Sequence, residues 1–129
     1  MMKSSQSDVK KFLNTLRDTL QSSSFNIDTD FVLIRSQKED YLYSTRYTLA
    51  DLEYDSGDVI ERLKELTVQE YSETLPDRDD MDPPLLFVFG KGIDGKLVYI
   101  KIKQRQLQEG QVVCVSFHYA KHSMPFPYK

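Results

Sequence analysis

The dipeptide Asp94-Gly95 lies between two segments that alternate apolar and polar residues, and it constrains the fold of this chain more than any other feature. Asp-Gly is typical of two-residue hairpin turns, because both central positions of such a turn need positive φ angles. The turn also sets the pairing of the flanking strands, which places Gly90 opposite Tyr99. Residues 85–104 are therefore predicted to form an antiparallel hairpin.

The alternation divides the side chains of this hairpin between two faces. The face that carries Tyr99, here called the Tyr99 face, also receives Lys101 and Lys103, and Gly90 leaves one side of the Tyr99 ring open to a ligand. The opposite face is predicted to join the core through Phe87, Phe89, Val98, Ile100 and Ile102.

Residues 111–119 read as a third antiparallel strand beside the hairpin. Strict alternation assigns Val113, Val115 and Phe117 to the core. The same alternation turns Cys114, Ser116 and His118 toward the Tyr99 face.

The part of the chain before the sheet predicts two or three helices. Apolar residues at helical spacing indicate an amphipathic helix over residues 7–21. Thr48 can cap a short second helix, and Ser56 or Asp58 can cap a third. An apolar run over residues 31–35 predicts one more short strand. The predicted fold class is α+β, with the helices packed on one face of the sheet.

Size and charge limit the function. The chain of 129 residues is predicted to be one domain, 1–129, with 1–7 and 120–129 as flexible or peripheral tails. The hydrophobic content of 40% and the charged content of 29% are typical of a folded protein. A net charge of -3 argues against nucleic-acid binding through bulk charge but leaves a local basic site open.

Cysteine and acidic residues bear on redox and metal chemistry. Cys114 is the single cysteine, so an internal disulfide is excluded. The acidic segment 77–84 is interpreted as a solvated connection rather than a metal site, because no histidine or spaced partner completes a ligand set. We expect no metal and no cofactor. The segment at residues 1–12 lacks the apolar core of a signal peptide and no apolar run approaches ~18 residues, which predicts a cytoplasmic protein without membrane contact.

Two interpretations of the Tyr99 face remain open from periodicity alone. Lysine, tyrosine and serine are common on the solvated face of a sheet that packs on helices by its other face. The same residue types, with a histidine that exchanges protons near neutral pH, also suit the handling of a phosphate.

Three segments, in order, resemble the MqsR-type toxins of bacterial toxin-antitoxin systems. They are TLADLEYDSGDVIERLKELTVQEYSET, GKLVYIKIKQ and VVCVSFH, spread over about residues 47–119. The shared elements are a leucine-containing helix pair that ends in Leu-Thr, a Tyr-x-Lys strand, and a last strand that ends in Ser-Phe.

The resemblance implies a RelE-like fold, in which two or three N-terminal helices pack on a curved antiparallel sheet of three to five strands. It also implies a metal-independent endoribonuclease that cleaves mRNA and so inhibits translation. The implied partners are the mRNA substrate and a cognate antitoxin protein.

The resemblance extends to individual residues. Tyr99 and Lys101 occupy the Tyr-x-Lys positions and inherit a catalytic role. His118 follows Ser-Phe, where the best-known type has a lysine, and is the third catalytic candidate. The candidates for RNA or phosphate binding are Lys103, Arg105, Ser116 and Lys121.

Two positions depart from the family pattern. Glu73 stands where the best-known type has a lysine, and Leu86 stands where it has a glutamine. These departures keep an alternative open: a catalytically degenerate, non-enzymatic module of the same fold that binds a protein partner.

Overall fold

The computed structural model describes residues 2–35, 40–77, 85–105 and 110–129. Its α-helices are α1 (Gln6–Gln21), α2 (Thr45–Leu52) and α3 (Ser56–Lys64). Its strands are β1 (Phe31–Leu33), β2 (Tyr71–Leu75), β3 (Leu86–Ile93), β4 (Lys96–Arg105) and β5 (Gln111–Tyr119). Short 3-10 helices cover Tyr41–Tyr43 and Val68–Glu70. Residues 78–84 of the acidic segment, which was predicted to be a solvated connection, lie outside the described residues.

The five strands form one sheet in the order β1-β5-β4-β3-β2. The α+β class and the packing of helices on the sheet are confirmed. The sheet is mixed rather than wholly antiparallel, because β1 pairs with β5 in parallel. No helix within the described residues is long and apolar enough to cross a membrane.

The helices begin at side-chain caps. Ser5 caps α1, where its hydroxyl accepts a hydrogen bond from the backbone N–H of Asp8 at 3.1 Å. The prediction that Thr48 caps α2 is wrong, because Ser44 is the cap. Asp55, rather than Ser56 or Asp58, caps α3, and Asp58 completes the capping box.

The core lies between the three helices and one face of the sheet. Phe12 of α1 stacks on Phe87 of β3 with ring centroids 4.0 Å apart, and the amide of Gln104 donates to the Phe12 carbonyl at 3.0 Å. The other core residues contributed by the strands are Phe31, Tyr71, Phe89, Ile93, Val98, Ile100, Ile102, Val112, Cys114, Phe117 and Tyr119. The opposite side of the sheet is the Tyr99 face.

The predicted hairpin register is confirmed. Asp94 and Gly95 form the turn with φ angles of 51° and 80°, and Ile93 pairs with Lys96. Gly90 consequently lies opposite Tyr99. A local turn preference was enough to place these side chains because it dictates every pairing in the hairpin.

A β-bulge in β5 overturns part of the predicted face assignment. Ser116 pairs with Lys101, but Cys114 pairs with Ile102, so Val115 is the extra residue. Cys114 therefore points into the core and is fully buried, whereas Val113 lies opposite Lys103 on the Tyr99 face. The assignments of Val113, Val115 and Cys114 were wrong, because the bulge shifts the alternation by one residue.

Both terminal segments contact strand β2. Ser4 donates its backbone N–H to the Tyr71 hydroxyl at 2.8 Å. The ring of Tyr128 stacks on that of Tyr71 with centroids 5.8 Å apart, and its hydroxyl donates to the Ser4 carbonyl at 2.6 Å. Met2 forms an antiparallel bridge with Thr74. The two ends of the chain thus pack against β2, which is an edge strand of the sheet.

Candidate functional site

His118 and Tyr99 form the centre of the candidate site. They lie directly opposite each other on β5 and β4. Their rings are stacked, with centroids 5.0 Å apart and planes 14° from parallel. Both side chains are half-buried on the Tyr99 face. The structure therefore brings together two of the three residues that the sequence predicted as catalytic.

Helix α2 fixes the segment of β5 that carries His118. Among the described residues, strand β1 pairs with residues 112–114, and these pairs end before Phe117 and Tyr119. The threonines of α2 bind that backbone instead. The Thr45 hydroxyl accepts from the N–H of Phe117 at 3.1 Å, and the Thr48 hydroxyl accepts from the N–H of Tyr119 at 2.9 Å. The residues on both sides of His118 are thus held in place by hydrogen bonds to α2.

The imidazole of His118 has one defined tautomer. Its Nδ1 lies 2.9 Å from the carbonyl oxygen of Tyr119. A carbonyl oxygen only accepts, so Nδ1 carries the hydrogen and the lone pair of the neutral ring is on Nε2. Burial lowers the pKa of His118, the hydrogen bond to the Tyr119 carbonyl opposes this, and the positive charge of Lys101 lowers it further. The ring is therefore neutral at cellular pH, with Nε2 able to accept a proton.

The pKa of Tyr99 is shifted in the opposite direction from that of His118. Burial raises the pKa of its phenol, and the negative charge of Glu73 raises it further. The hydroxyl therefore keeps its proton at neutral pH and acts as a donor. Glu73 lies on β2 opposite Val88, which in turn lies opposite Lys101. Glu73, which departs from the family pattern, is thus a charged neighbour of this site. It was not among the site residues predicted from the sequence.

Lys101 supplies the positive charge of the site. It lies two residue pairs along the ladder from Tyr99, on the same face of the sheet, and directly opposite Ser116. Its Nζ lies 6.0 Å from the centroid of the Tyr99 ring. The structure therefore groups Lys101 and Ser116 with the stacked pair, as the sequence predicted.

The three other basic candidates make contacts of their own. Lys103 forms a buried ion pair with Asp77, in which the side chains are 6% and 8% exposed. Arg105 donates to the Gln111 side-chain oxygen at 3.1 Å. Lys121 pairs with Asp40 at the surface and lies 5.9 Å from the ring centroid of Tyr43. Each of these three side chains therefore has at least one protein partner of its own.

The space beside Gly90 is partly filled by the chain itself. A Cβ placed on Gly90 would lie 2.8 Å from the Phe126 ring and 3.0 Å from Met124 Sδ. The prediction that glycine leaves this side of Tyr99 open is therefore corrected: the segment after β5 packs there. The only signal for this contact was the apolar run Met-Pro-Phe-Pro-Tyr at 124–128.

Leu86, the second departure from the family pattern, is buried at the start of β3 and pairs with Leu75. Its side chain is apolar, so it brings no hydrogen-bonding group to the site. Among the described residues, no group of three or more His, Cys, Asp or Glu side chains is arranged to hold a metal ion.

Comparison of the chain with protein-family models, with curated proteins and with solved structures found no match in any of the three.

Proposed function

We propose that this protein is a metal-independent endoribonuclease that cleaves mRNA, the toxin of a toxin-antitoxin pair. The observation that carries the proposal is the stacked pair of His118 and Tyr99 with opposite pKa shifts, beside the charge of Lys101. The sequence resemblance to MqsR-type toxins supports the same activity.

Cleavage of RNA without a metal needs three groups. A base removes the proton of a 2'-hydroxyl, a cation stabilises the charge that develops on the phosphate, and an acid protonates the leaving 5'-oxygen. Nε2 of His118 suits the base, because the ring is neutral at cellular pH. The ammonium of Lys101 suits the cation. The Tyr99 phenol suits the acid, since its raised pKa keeps the proton on the oxygen until an alkoxide forms.

In this reaction the 2'-oxygen forms a bond to phosphorus while the bond from phosphorus to the 5'-oxygen breaks. The 2'-hydroxyl proton passes to Nε2 of His118, and the Tyr99 proton passes to the 5'-oxygen. The products are a 2',3'-cyclic phosphate and a 5'-hydroxyl. Proton exchange with water then restores both side chains.

The test is cleavage of a mixed pool of single-stranded RNA by the purified chain. We expect His118→Ala and Tyr99→Phe to lower the cleavage rate by at least about a hundredfold, the scale of general acid-base catalysis. His122→Ala is the matched control, because His122 is exposed and lies four residues beyond His118. Equal rates for all four proteins would contradict the assignment of the site.

The second function is an interaction module without catalytic activity. It would be supported by the absence of cleavage of any RNA, including ribosome-bound mRNA, together with stable binding of a protein partner. The same purified protein serves both measurements.

A further inference from the structure

A cavity of about 240 Å³ lies beside Tyr99 on the same face of the sheet. Its lining consists of Gln69, Glu70, Gly90, Gly92, Leu97, Phe126 and Lys129. Gly90 pairs with Tyr99 and Gly92 pairs with Leu97, so the cavity adjoins the Tyr99-His118 stack along the same two strands. We refer to it as the glycine cavity.

The floor of the glycine cavity includes bare backbone at Gly92, whereas Phe126 and Met124 pack over Gly90. Gly90 and Gly92 alternate along β3, and both positions therefore face the same side of the sheet. A Cβ on Gly92 would meet no atom within 4 Å. Glycine inside a strand often marks a place where a ligand approaches the backbone closely. The exposed and unobstructed position of Gly92 fits this use.

One wall of the cavity is the aromatic ring of Phe126. The ring is half-buried, so part of it remains accessible. Its position is anchored on one side by the contact with Gly90 and on the other by the backbone N–H of Lys129, which donates to the Phe126 carbonyl at 3.2 Å. Two residues further along the chain, Tyr128 stacks on buried Tyr71.

The rim adds polar groups to this apolar floor and wall. Gln69 is exposed, and its amide offers both a donor and an acceptor. The ammonium of Lys129 lies 5.9 Å from the Phe126 ring centroid. Glu70 is already engaged, because its carboxylate accepts from the Thr67 N–H at 3.0 Å and lies 3.4 Å from Lys91 Nζ. Gln69 and Lys129 are therefore the rim groups that suit a ligand.

We propose that the glycine cavity binds one nucleobase of the RNA, next to the phosphate that is cleaved. The base lies over Gly92, stacks on Phe126, and presents its edge to Gln69, while Lys129 lies near the backbone phosphate. This inference rests on the proposed function and adds a specificity site to it.

Size and chemistry favour a nucleobase. The volume of about 240 Å³ is below the ~300 Å³ at which pockets for drug-sized ligands begin, so the cavity suits a single flat ring system. Stacking on an aromatic side chain is the general way in which proteins hold unpaired bases. An amide reads a base edge through paired donor and acceptor groups. Gln69 is therefore the residue expected to set the base preference.

Binding is measured by fluorescence anisotropy with labelled short oligoribonucleotides, each of a single base type. The His118→Ala chain is the parent for these measurements, because it is expected to bind RNA without cutting it. Gly92→Leu fills the floor, Phe126→Ala removes the wall, and Gln69→Ala removes the edge contact. Lys10→Leu on the exposed side of α1 is the matched control for the added leucine.

We expect Gly92→Leu and Phe126→Ala to weaken binding about tenfold or more, the scale of one stacked base. Gln69→Ala should reduce the differences among the four oligonucleotides, and Lys10→Leu should change neither property. Thermal unfolding of each variant establishes that it is folded. If Gly92→Leu does not fold, the base preference of Gln69→Ala tests the proposal instead. Gln69 is exposed, so this variant should remain folded.

Unchanged affinity and unchanged base preference in the cavity variants would overturn the inference while leaving the proposed function intact, provided that the unmodified chain cleaves RNA. Loss of neutralisation by a protein partner in Gly92→Leu, with RNA binding retained, would also overturn it and assign the cavity to that partner. An unmodified chain that neither binds nor cleaves RNA would remove both proposals.

Discussion

The imidazole of His118 stacks on the phenol of Tyr99 with ring centroids 5.0 Å apart, and their surroundings move the two pKa values in opposite directions. His118 therefore loses its proton at a lower pH than an ordinary histidine, and Tyr99 loses its proton at a higher pH than an ordinary tyrosine. Burial is the largest cause of both pKa shifts, because it disfavours the charged form of each ring. Lys101 then acts on His118 and Glu73 acts on Tyr99, so each neighbouring charge reinforces the effect of burial. Groups held in complementary protonation states are suited to acid-base chemistry.

The first prediction concerns growth. Induction of the chain alone in a bacterium should arrest translation, and His118→Ala or Tyr99→Phe should relieve the arrest. Both side chains lie on the Tyr99 face rather than in the core, so the variants should remain folded. The measurement is incorporation of labelled amino acid after induction, at equal protein levels. Arrest by both variants as strong as by the unmodified chain would contradict the site.

The second prediction concerns metal and product ends. Cleavage should survive excess EDTA, because in the proposed mechanism His118, Lys101 and Tyr99 supply the base, the cation and the acid. The fragments should carry a 2',3'-cyclic phosphate or the 3'-phosphate formed from it, which enzymatic end-labelling distinguishes from a 3'-hydroxyl. A requirement for magnesium together with 3'-hydroxyl ends would contradict this mechanism.

The third prediction concerns pH. The base must be neutral, so kcat/KM should rise as pH increases through the pKa of His118, which lies below the ordinary value of ~6.5, and then level off. No fall should follow until well above pH ~10, because the pKa of Tyr99 is raised. The measurement is the initial rate of cleavage of one oligonucleotide across the pH range. A rate that is highest in acid and falls toward neutrality would instead make protonated His118 the acid.

The same pKa shift has a consequence for stability. The folded state favours neutral His118 more than the unfolded state does, so this contribution is present above the unfolded pKa of ~6.5 and is lost as pH falls through the lowered folded value. His118→Ala should therefore lose less stability than the parent between neutral pH and mild acid. Urea midpoints at the two pH values measure the difference, and equal losses would contradict it.

The fourth prediction concerns the buried ion pair of Lys103 and Asp77. Asp77→Asn removes the carboxylate charge and leaves the ammonium of Lys103 buried without it, which should cost roughly 3 kcal/mol of unfolding free energy. Asp40→Asn is the matched control, because Asp40 and Lys121 are 54% and 50% exposed and such pairs are worth less than about 1 kcal/mol. Urea unfolding with fitted slopes gives both values. Equal losses would show that burial of the first pair has no energetic consequence.

The sequence by itself determined the hairpin and the strand register at its centre. Asp94 and Gly95 adopt the positive φ angles of a tight turn, and a turn of defined geometry sets every pairing along β3 and β4. The opposition of Gly90 and Tyr99 follows from local chain geometry alone. The amphipathic helix over residues 7–21 was predictable for a similar reason, since its apolar spacing is a local pattern.

Only the tertiary structure decided which way β5 turns its side chains. The bulge at Val115 lets Cys114 and Phe117 both point into the core, although they are three residues apart. Strict alternation does not allow this, and no local residue pattern marks the position of the extra residue. The bulge is fixed by pairing with β4, which belongs to another part of the chain. His118 reached the Tyr99 face because it lies on the C-terminal side of the bulge.

The chemical environment of the site also came from contacts between distant segments. Lys103 and Asp77 are 26 positions apart, and Phe126 reaches Gly90 from the segment after the last strand. A lysine in an alternating strand has the same sequence pattern whether it faces water or a buried carboxylate. Its surroundings depend on which segment packs over the strand, and that packing is a property of the whole fold. The residue types of the site could therefore be predicted from the sequence. Their burial, their neighbours and the charges around them were set by tertiary packing.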